Sequence, residues 1–386
     1  MIILLISTPG TASPDRGIIG EIVIIGPTRT EEDIIRRQLP FAEGDYWQEE
    51  YGKLVSRRIE ALNVFHPLEI RVLTEPINEG YFRVVIRATD TDLLYVDPVE
   101  MAVFKTVDLF EKQFNQEIRS PFGRGVVYSM GFGWSSNPWW EAGFSYPLAK
   151  GLSLNFQHLS FETNSVFNNL RYQEKGFKDN IHFKQVLSAD WELGYGFGYR
   201  DNEYQLSGEG DIHQQYVLLS GEAIWKGGGQ LLFALRHMES LKEGQPSFTK
   251  LSGDYVNGYQ FLDGIFILRL QCGLLSSETS LNMQFHGGGF SEIPLRAYQY
   301  NLAGDRYLRG GLEYHRALPV SGLRGIIFTD AGKILHAGWT FEETELLLKG
   351  GIGLAYDTSM EIPVSLDLAF NQEGDFNWKL GFGHSF

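Results

Sequence analysis

The stretch Val364-Ser-Leu-Asp-Leu-Ala-Phe370, near the end of the chain, alternates between large apolar residues and small or polar ones. Because successive side chains of a β-strand point to opposite faces, valine, leucine and phenylalanine would share one face here. Serine, aspartate and alanine would share the other. The stretch therefore predicts a β-strand that separates an apolar environment from a polar one.

The same period of two recurs throughout residues 123–386. Turn sequences such as Asn137-Pro and Glu373-Gly-Asp lie between the alternating stretches, as expected of consecutive hairpins. No apolar run approaches the roughly 18 residues of a membrane-spanning helix, so a membrane would have to be crossed by strands. We predict an antiparallel transmembrane β-barrel, with a soluble β-rich protein as the alternative. The alternating stretches are 128–134, 140–146, 193–199, 217–225, 268–274, 352–356 and 378–386.

Two long stretches within this region, 161–179 and 243–259, have no clear strand register. We treat them as candidate surface loops. At about 10 residues per tilted strand, the whole region would accommodate about 12 to 16 strands.

Composition narrows the class of protein further. The 386 residues include 44 glycines, which suits turns and the small face of strands, and 14% aromatic residues, which is too many for a disordered chain. A net charge of -15 argues against nucleic acid as a partner. The single cysteine, Cys272, excludes an internal disulfide and a cysteine metal cluster, and its leucine neighbours predict a packed or lipid-facing thiol.

Residues 17–90 have a different pattern. A strand over 20–25 precedes an amphipathic helix that starts at the N-cap Thr30 and ends before Pro40. A second amphipathic helix over about 47–62 is followed by strands over 66–73 and 81–88. The order β-α-α-β-β predicts a small α+β domain, and residues 91–122 would form a linker into the barrel.

This domain resembles a polypeptide-transport-associated (POTRA) domain. The resemblance rests on Gly26-Pro-Thr-Arg-Thr30 after the first strand, on Gly44-Asp45 between the helices and on Phe65 before the second strand. Pro27 departs from the asparagine that is usual in the family, in a turn that proline can occupy. The resemblance implies a periplasmic domain. An unrelated small α+β domain is the alternative.

The first residues, 1–15, consist of a short apolar run followed by Thr-Ala-Ser-Pro. This resembles the end of a secretory signal with a cleavage site near Ala12. Because a basic segment is missing before the apolar run, we interpret these residues as a signal-like or truncated leader.

Three motifs in the last hundred residues resemble the signature of the BamA/TamA family of outer-membrane assembly and translocation proteins. They are the stretch 287–298 with Arg296-Ala-Tyr298, the stretch 304–314, and Phe328-Thr-Asp-Ala-Gly332. The resemblance implies a barrel of about 16 strands. It also implies a loop that folds into the lumen and is anchored there by its arginine. Ala297 replaces the family's glycine, which alters the backbone conformations open to the loop.

The alternation of the neighbouring strands agrees with this anchor. It directs Glu313 and Asp330 to the same face of adjacent strands, where two carboxylates could receive the guanidinium of Arg296. Tyr298 belongs to the loop motif, and Phe328 and Gly332 flank Asp330. Ordinary solvated lumen residues are the alternative, and Glu313, His315 and Asp330 could also be considered as metal ligands, although their spacing favours no metal site.

The chain ends in Lys379-Leu-Gly-Phe-Gly-His-Ser-Phe386, which resembles the C-terminal β-signal of outer-membrane barrels. Lys379, Gly381 and Phe386 carry the resemblance. His384 departs from it, because the signal prefers an apolar or aromatic residue at that position.

These resemblances imply a protein of the outer membrane of a diderm bacterium that inserts polypeptides or moves them across the membrane, with clients received by the POTRA domain. Its partners would be unfolded outer-membrane or secreted polypeptides, the lipid bilayer, and periplasmic chaperones or lipoproteins. Enzyme motifs such as Gly-x-Ser-x-Gly, a Walker loop or His-Glu-x-x-His are absent, so we predict no enzyme activity and no cofactor. A passive pore or structural barrel is the alternative function.

Overall fold

The computed structural model places its strands and helices in two compact units. One contains the described residues of Ile3–Asn164 and Gln173–Tyr204, and the other those of Ser165–Tyr172 and Gln205–Phe386. Within the described residues, no helix is both long enough and apolar enough to cross a membrane. The structure describes residues 17–94, 112–135, 137–167, 170–205, 212–225, 229–241, 247–277, 284–287, 302–320, 322–335, 340–357 and 363–382.

The first unit begins with an α+β domain. Its elements are β1 (Ile18–Ile25), α1 (Glu32–Arg36), α2 (Glu49–Glu60), β2 (Arg71–Asn78) and β3 (Tyr81–Arg87). The strand order is β1-β3-β2, with β1 and β3 parallel and β2 and β3 antiparallel. This is the β-α-α-β-β order expected from the sequence.

The core of this domain lies between the helices and one face of the sheet. The helical spacing of α2 buries Val55 and Ile59, and α1 buries Ile34 and Ile35. Val84 of the central strand β3 is fully buried as well. Burial of these aliphatic side chains stabilises the packing of two helices that are too short to be stable alone.

Asp90 closes the turn that follows β1. Its Oδ2 accepts hydrogen bonds from the backbone N–H groups of Thr28 and Arg29, both at 2.8 Å. Burial alone would raise the pKa of the Asp90 carboxyl. Hydrogen bonds from the Thr30 side chain and from the backbone N–H groups of residues 28–30 outweigh this effect and hold the pKa below its usual range. The carboxylate therefore stays ionised at neutral pH and keeps the turn closed.

Six strands that lie wholly or mostly in the first unit follow the α+β domain within the described residues. They are neighbours in sequence order, and the pairs from β4 to β7 are antiparallel. Their bounds are β4 (Gln113–Arg119), β5 (Val127–Gly133), β6 (Trp139–Pro147), β7 (Leu152–Phe167), β8 (Leu170–Val186) and β9 (Trp191–Gln205).

Strand β5 explains why glycine occupies one face of these strands. Tyr128, Met130 and Phe132 are exposed on one face, and the indole of Trp139 lies over Gly131 and Gly133 on the other. A Cβ at Gly133 would lie 2.3 Å from Trp139 Nε1, so any larger residue would displace the indole ring.

In the second unit, strands β10 to β13 and β16 to β20 form consecutive antiparallel pairs, and β13 pairs with β16. The short strands β14 (Phe285–Gly287) and β15 (Leu302–Gly304) pair with each other. The longer strands are β10 (Ile212–Trp225), β11 (Gly229–Ser240), β12 (Phe248–Phe261), β13 (Gly264–Leu275), β16 (Arg306–Ala317), β17 (Leu323–Leu335), β18 (Leu347–Asp357), β19 (Pro363–Asn371) and β20 (Phe376–Phe382).

The structure differs from the sequence prediction at several boundaries. The expected linker 91–122 contains β4, whose apolar face is interrupted by Gln116 and was therefore missed. The stretches treated as loops lie largely in β7, β8 and β12. Glu31 rather than Thr30 is the N-cap of α1, and β2 begins only at Arg71 because a 3-10 turn, Pro67–Glu69, precedes it. The count of about 16 strands stays a prediction.

Candidate functional site

Strands β16 and β17 each have one exposed apolar face and one buried face that carries charged side chains. Leu308 and Leu312 of β16 and Ile327 of β17 are exposed. Arg309 and Asp330, on the opposite face, are 2% and 1% exposed. The alternation of the sequence thus brings charged side chains together on the buried side of this antiparallel pair.

Five polar side chains form a continuous row across neighbouring strands, here called the polar row. Gln271 Nε2 donates to Asp254 Oδ2 at 2.8 Å, and Arg309 donates to Gln271 Oε1 at 2.5 Å. The second terminal nitrogen of Arg309 donates to Asp330 Oδ1 at 2.7 Å. Lys349 Nζ lies 3.1 Å from Asp330 Oδ2. The row therefore extends from β12 to β18.

Strand register is what aligns the polar row. Asp254 is paired with Gln271, Gln271 with Arg309, and Asp330 with Lys349. Gly311 is paired with Asp330, and a Cβ at this position would lie 2.5 Å from Asp330 Oδ1. Glycine is required there because the carboxylate is already held between two cations and has little freedom to move.

The polar row contains equal numbers of opposite charges. Asp254 and Asp330 are the anions, Arg309 and Lys349 the cations, and Gln271 links the two halves by donating to one neighbour and accepting from the other. Lys349 is only 4% exposed. Charges so deeply buried are tolerable because each is paired and hydrogen-bonded.

Glu313 and His315 form a second buried pair beside the row. His315 Nε2 lies 2.8 Å from Glu313 Oε2, and both side chains are buried on the same face of β16 as Arg309. Phe328 is paired with Glu313 across the strands and packs over Gly351. Among the residues that the structure describes, no group of three side chains could hold a metal ion.

The structure brings together only part of the predicted site. Glu313, Phe328, Asp330 and Gly332 lie on one face of β16 and β17. Lys379 and Gly381 belong to β20, where they pair with Asp367 and Ser365. Arg296, Tyr298 and Phe386 lie outside the described residues.

Sequence reasoning missed Lys349, Gln271 and Asp254. The signal for Lys349 was available, because it is the only charged residue between Leu347 and Tyr356 and lies on the face occupied by Gly351, Gly353 and Ala355. Glycine and alanine neighbours cannot shield or pair the charge of a lysine. A lysine that is buried among them therefore needs a buried anion as its partner. Its partner, Asp330, follows from the register of β17 and β18.

The first unit contains a separate set of contacts, between the α+β domain and the turns that connect the later strands of the same unit. In the β4–β5 turn, the carbonyl of Gly123 accepts a hydrogen bond from the N–H of Glu31 at 2.8 Å. Thr30 Oγ1 donates to Ser120 Oγ at 3.2 Å. Gly125 fits between Ile34 and Pro147, where a Cβ would lie about 3 Å from both side chains.

The β6–β7 turn and the end of β8 contact the same helices. The N–H groups of Lys150 and Gly151 donate to Arg37 O and Gln38 Oε1, both at 2.8 Å. Arg58 donates to Gln38 O at 3.0 Å and to Val186 O at 3.4 Å. Burial lowers the pKa of Arg58 from its ordinary value. These contacts join the helical part of the domain to the ends of β6, β7 and β8.

The segment that leaves the α+β domain follows the side of β4 that faces away from β5. Arg119 N–H donates to Leu93 O at 2.9 Å. Gln116 Nε2 donates to Leu94 O at 2.9 Å and to Glu117 O at 2.8 Å. Residues 93 and 94 thus satisfy polar groups at one end of β4.

Comparison with known proteins is informative for both units. Residues 226–386 match the model of the Omp85 superfamily domain. No curated protein sequence matches the chain. The solved structure of CdiB from Acinetobacter baumannii has a TM-score of 0.69 at 13% identity, and the match covers 95% of this chain and 73% of that chain.

Two further solved structures have a similar fold. CdiB from Escherichia coli has a TM-score of 0.66 at 16% identity, with 96% of this chain and 75% of that chain covered. BamA from Haemophilus ducreyi lacking POTRA domains 1-3 has a TM-score of 0.62 at 10% identity, with 95% and 84% covered. The polar row lies wholly within the residues that match the family model. The chain therefore carries an Omp85 superfamily domain over residues 226–386, and the three solved structures share its fold.

Proposed function

We propose that this chain is an outer-membrane β-barrel protein that inserts polypeptides into the membrane or moves them across it. The observation that carries the proposal is the Omp85 superfamily match over residues 226–386, which include the whole polar row. The similar folds of BamA and CdiB support the same class of protein. The exposed face of the strands is also apolar, with Leu308, Ile327 and Ile352 about half exposed, as lipid-facing strands require.

The buried face of β16 would hold a lumen loop that contains Arg296. Asp330 already faces two cationic side chains, Arg309 and Lys349. Glu313 is bonded to His315, which is charged only when protonated. A further guanidinium therefore gains more by bonding Glu313 than by approaching Asp330, because it adds less repulsion between like charges. We infer that Arg296 anchors the loop chiefly through Glu313.

The α+β domain would act as a POTRA domain that receives clients in the periplasm. Strand β2 is one of the two edge strands in the order β1-β3-β2, so an extended client could pair with it by β-augmentation. Pro76 lacks an N–H group, and the register of β2 shifts between Pro76 and Asn78. Pairing with a client is therefore expected along Arg71 to Glu75.

A passive pore is the second candidate, and single-channel conductance in a planar bilayer separates the two. For the refolded full chain, we expect a small and fluctuating conductance. Arg296→Ala should increase it several-fold, because the loop would lose its anchor, and Glu313→Gln should increase it in the same direction.

Arg316→Ala is the matched control for this experiment. Arg316 is an exposed arginine near the end of β16 that pairs with Asp263, so its loss should leave the conductance unchanged. A large, steady conductance that is the same in the wild type and in Arg296→Ala would instead identify a passive pore.

A further inference from the structure

An open cavity of about 590 Å³ lies within the first unit, beside the β4–β5 turn. The lining of the cavity includes Glu31, at the start of α1, and the turn residues Phe122 and Arg124. It also includes aromatic residues of β5 and β6. Cavities of this volume are large enough for a small polar ligand or a lipid headgroup.

These aromatic residues continue the exposed apolar face of the strands. Tyr128 and Phe144 are directly paired across β5 and β6, and Tyr146 lies two residues further along. Met130 and Phe132 extend the same exposed face of β5 away from the turn. Tyrosine is enriched where apolar acyl chains meet polar headgroups, so this end of the face has the composition of a membrane interface.

Two opposite charges lie at the cavity. Within the residues that the structure describes, neither the guanidinium of Arg124 nor the carboxylate of Glu31 makes a side-chain hydrogen bond or ion pair. Phe122 is 77% exposed beside them. A cation, an anion and an exposed aromatic ring next to an apolar face suit a ligand that is zwitterionic at one end and apolar at the other.

The turn that presents these groups is held in one conformation. Ser120, Gly123 and Gly125 all have positive φ, and a Cβ at Gly123 would lie 2.6 Å from Arg29 O. The Ser120 hydroxyl accepts the N–H of Gly125 at 2.9 Å. Since the turn is bonded to the α+β domain as well, the cavity is formed before any ligand binds, which reduces the entropic cost of binding.

We propose that this cavity binds the headgroup of an amine-bearing zwitterionic glycerophospholipid. The phosphate bonds Arg124, the ammonium group faces Glu31, and the acyl chains follow Tyr128, Met130 and Phe132 into the bilayer. The proposal rests on the proposed function, because it requires that this face of β5 lies in a membrane. A lipid held there would fix the height of the α+β domain relative to the bilayer.

Native mass spectrometry of the full chain in detergent micelles tests this site with added dioleoylphosphatidylethanolamine or dioleoylphosphatidylglycerol. The wild type should retain phosphatidylethanolamine in preference to phosphatidylglycerol. Arg124→Ala should reduce the retention of both lipids about tenfold, because a charge-assisted bond to phosphate is lost. Glu31→Gln should abolish the preference for the amine while leaving phosphatidylglycerol bound.

Arg71→Ala, on the exposed strand β2, removes an arginine outside the cavity and should retain lipid as the wild type does. Equal retention in Arg124→Ala and Arg71→Ala, or a wild-type preference for phosphatidylglycerol, would overturn the proposal. The readout involves no client and no current. Failure of lipid retention is therefore distinguishable from failure of the proposed function, which the conductance of the same preparation reports.

Discussion

At the scale of single residues, Asp330 is tightly constrained by its neighbours in the second unit. Its two oxygens face Arg309 and Lys349, and all three side chains are buried. Burying such charges costs several kcal/mol for each ion, which the attraction between them offsets only while every partner is present. The polar row is therefore better described as a device that fixes the register of β16 to β18 than as a source of net stability.

Asp330→Asn should strongly destabilise the folded chain, by about 3 to 5 kcal/mol, because it leaves two buried cations with no full counter-charge. The free energy of unfolding in urea, followed by the change in electrophoretic mobility between folded and unfolded protein, measures the effect. In the double variant Asp330→Asn with Lys349→Met, one cation is also removed, so a substantial part of the loss should be recovered. Equal losses in the single and double variants would contradict this account.

At the scale of elements, the sequence was most informative where alternation is strict. For β16, β17 and β19, the alternation of residue types predicts which face is exposed and which is buried. A charged residue on the apolar face, or an unpaired one on the buried face, would destabilise the fold. Strand β4 was missed because Gln116 interrupts its apolar face. In the structure, the amide of Gln116 donates a hydrogen bond to Leu94 O, so this polar side chain has a partner. The partners of Asp330 were missed for a different reason, since they depend on register between strands, which local patterns do not specify.

The β6–β7 turn allows a sharp test of packing against the α+β domain. Gly151 and Gly80 have nearly equal positive φ, of 76° and 80°. A Cβ at Gly151 would lie 2.8 Å from Val186 O and 3.0 Å from Arg58, whereas a Cβ at Gly80 would meet nothing within 4 Å. Both alanine substitutions incur a backbone penalty of about 1 kcal/mol, and only Gly151→Ala adds a collision.

Gly151→Ala should therefore cost about 1 to 3 kcal/mol more than Gly80→Ala. Hydrogen exchange of the amides of residues 148–151 measures the difference, and protection should fall only in Gly151→Ala. If both variants exchange alike, the turn is not packed as closely as its geometry indicates.

At the scale of the whole molecule, the α+β domain is part of the first unit rather than an appendage. Its helices bond the β4–β5 turn, the β6–β7 turn and the end of β8. Val127 of β5 belongs to the same apolar core as the helices. A force on the domain would therefore reach the first strands directly.

An engineered protease site between residues 100 and 101 tests this union. After cleavage, the fragments 1–100 and 101–386 should stay together during size-exclusion chromatography, because several buried hydrogen bonds of about 1 kcal/mol each and an apolar contact still join them. Adding Arg58→Ala and Gln38→Ala should promote their separation. Separation of the unsubstituted fragments on cleavage would indicate that the peptide link alone holds the domain.

The hydrogen bonds that residues 93 and 94 make with β4 have a consequence for the tendency of the chain to aggregate. A strand edge with unsatisfied peptide groups can template the addition of other chains and so start aggregation. At Glu117 and Arg119 these groups are already occupied by the chain's own backbone and by the amide of Gln116. This end of β4 is therefore a poor nucleus for ordered aggregates, even when many copies are crowded together.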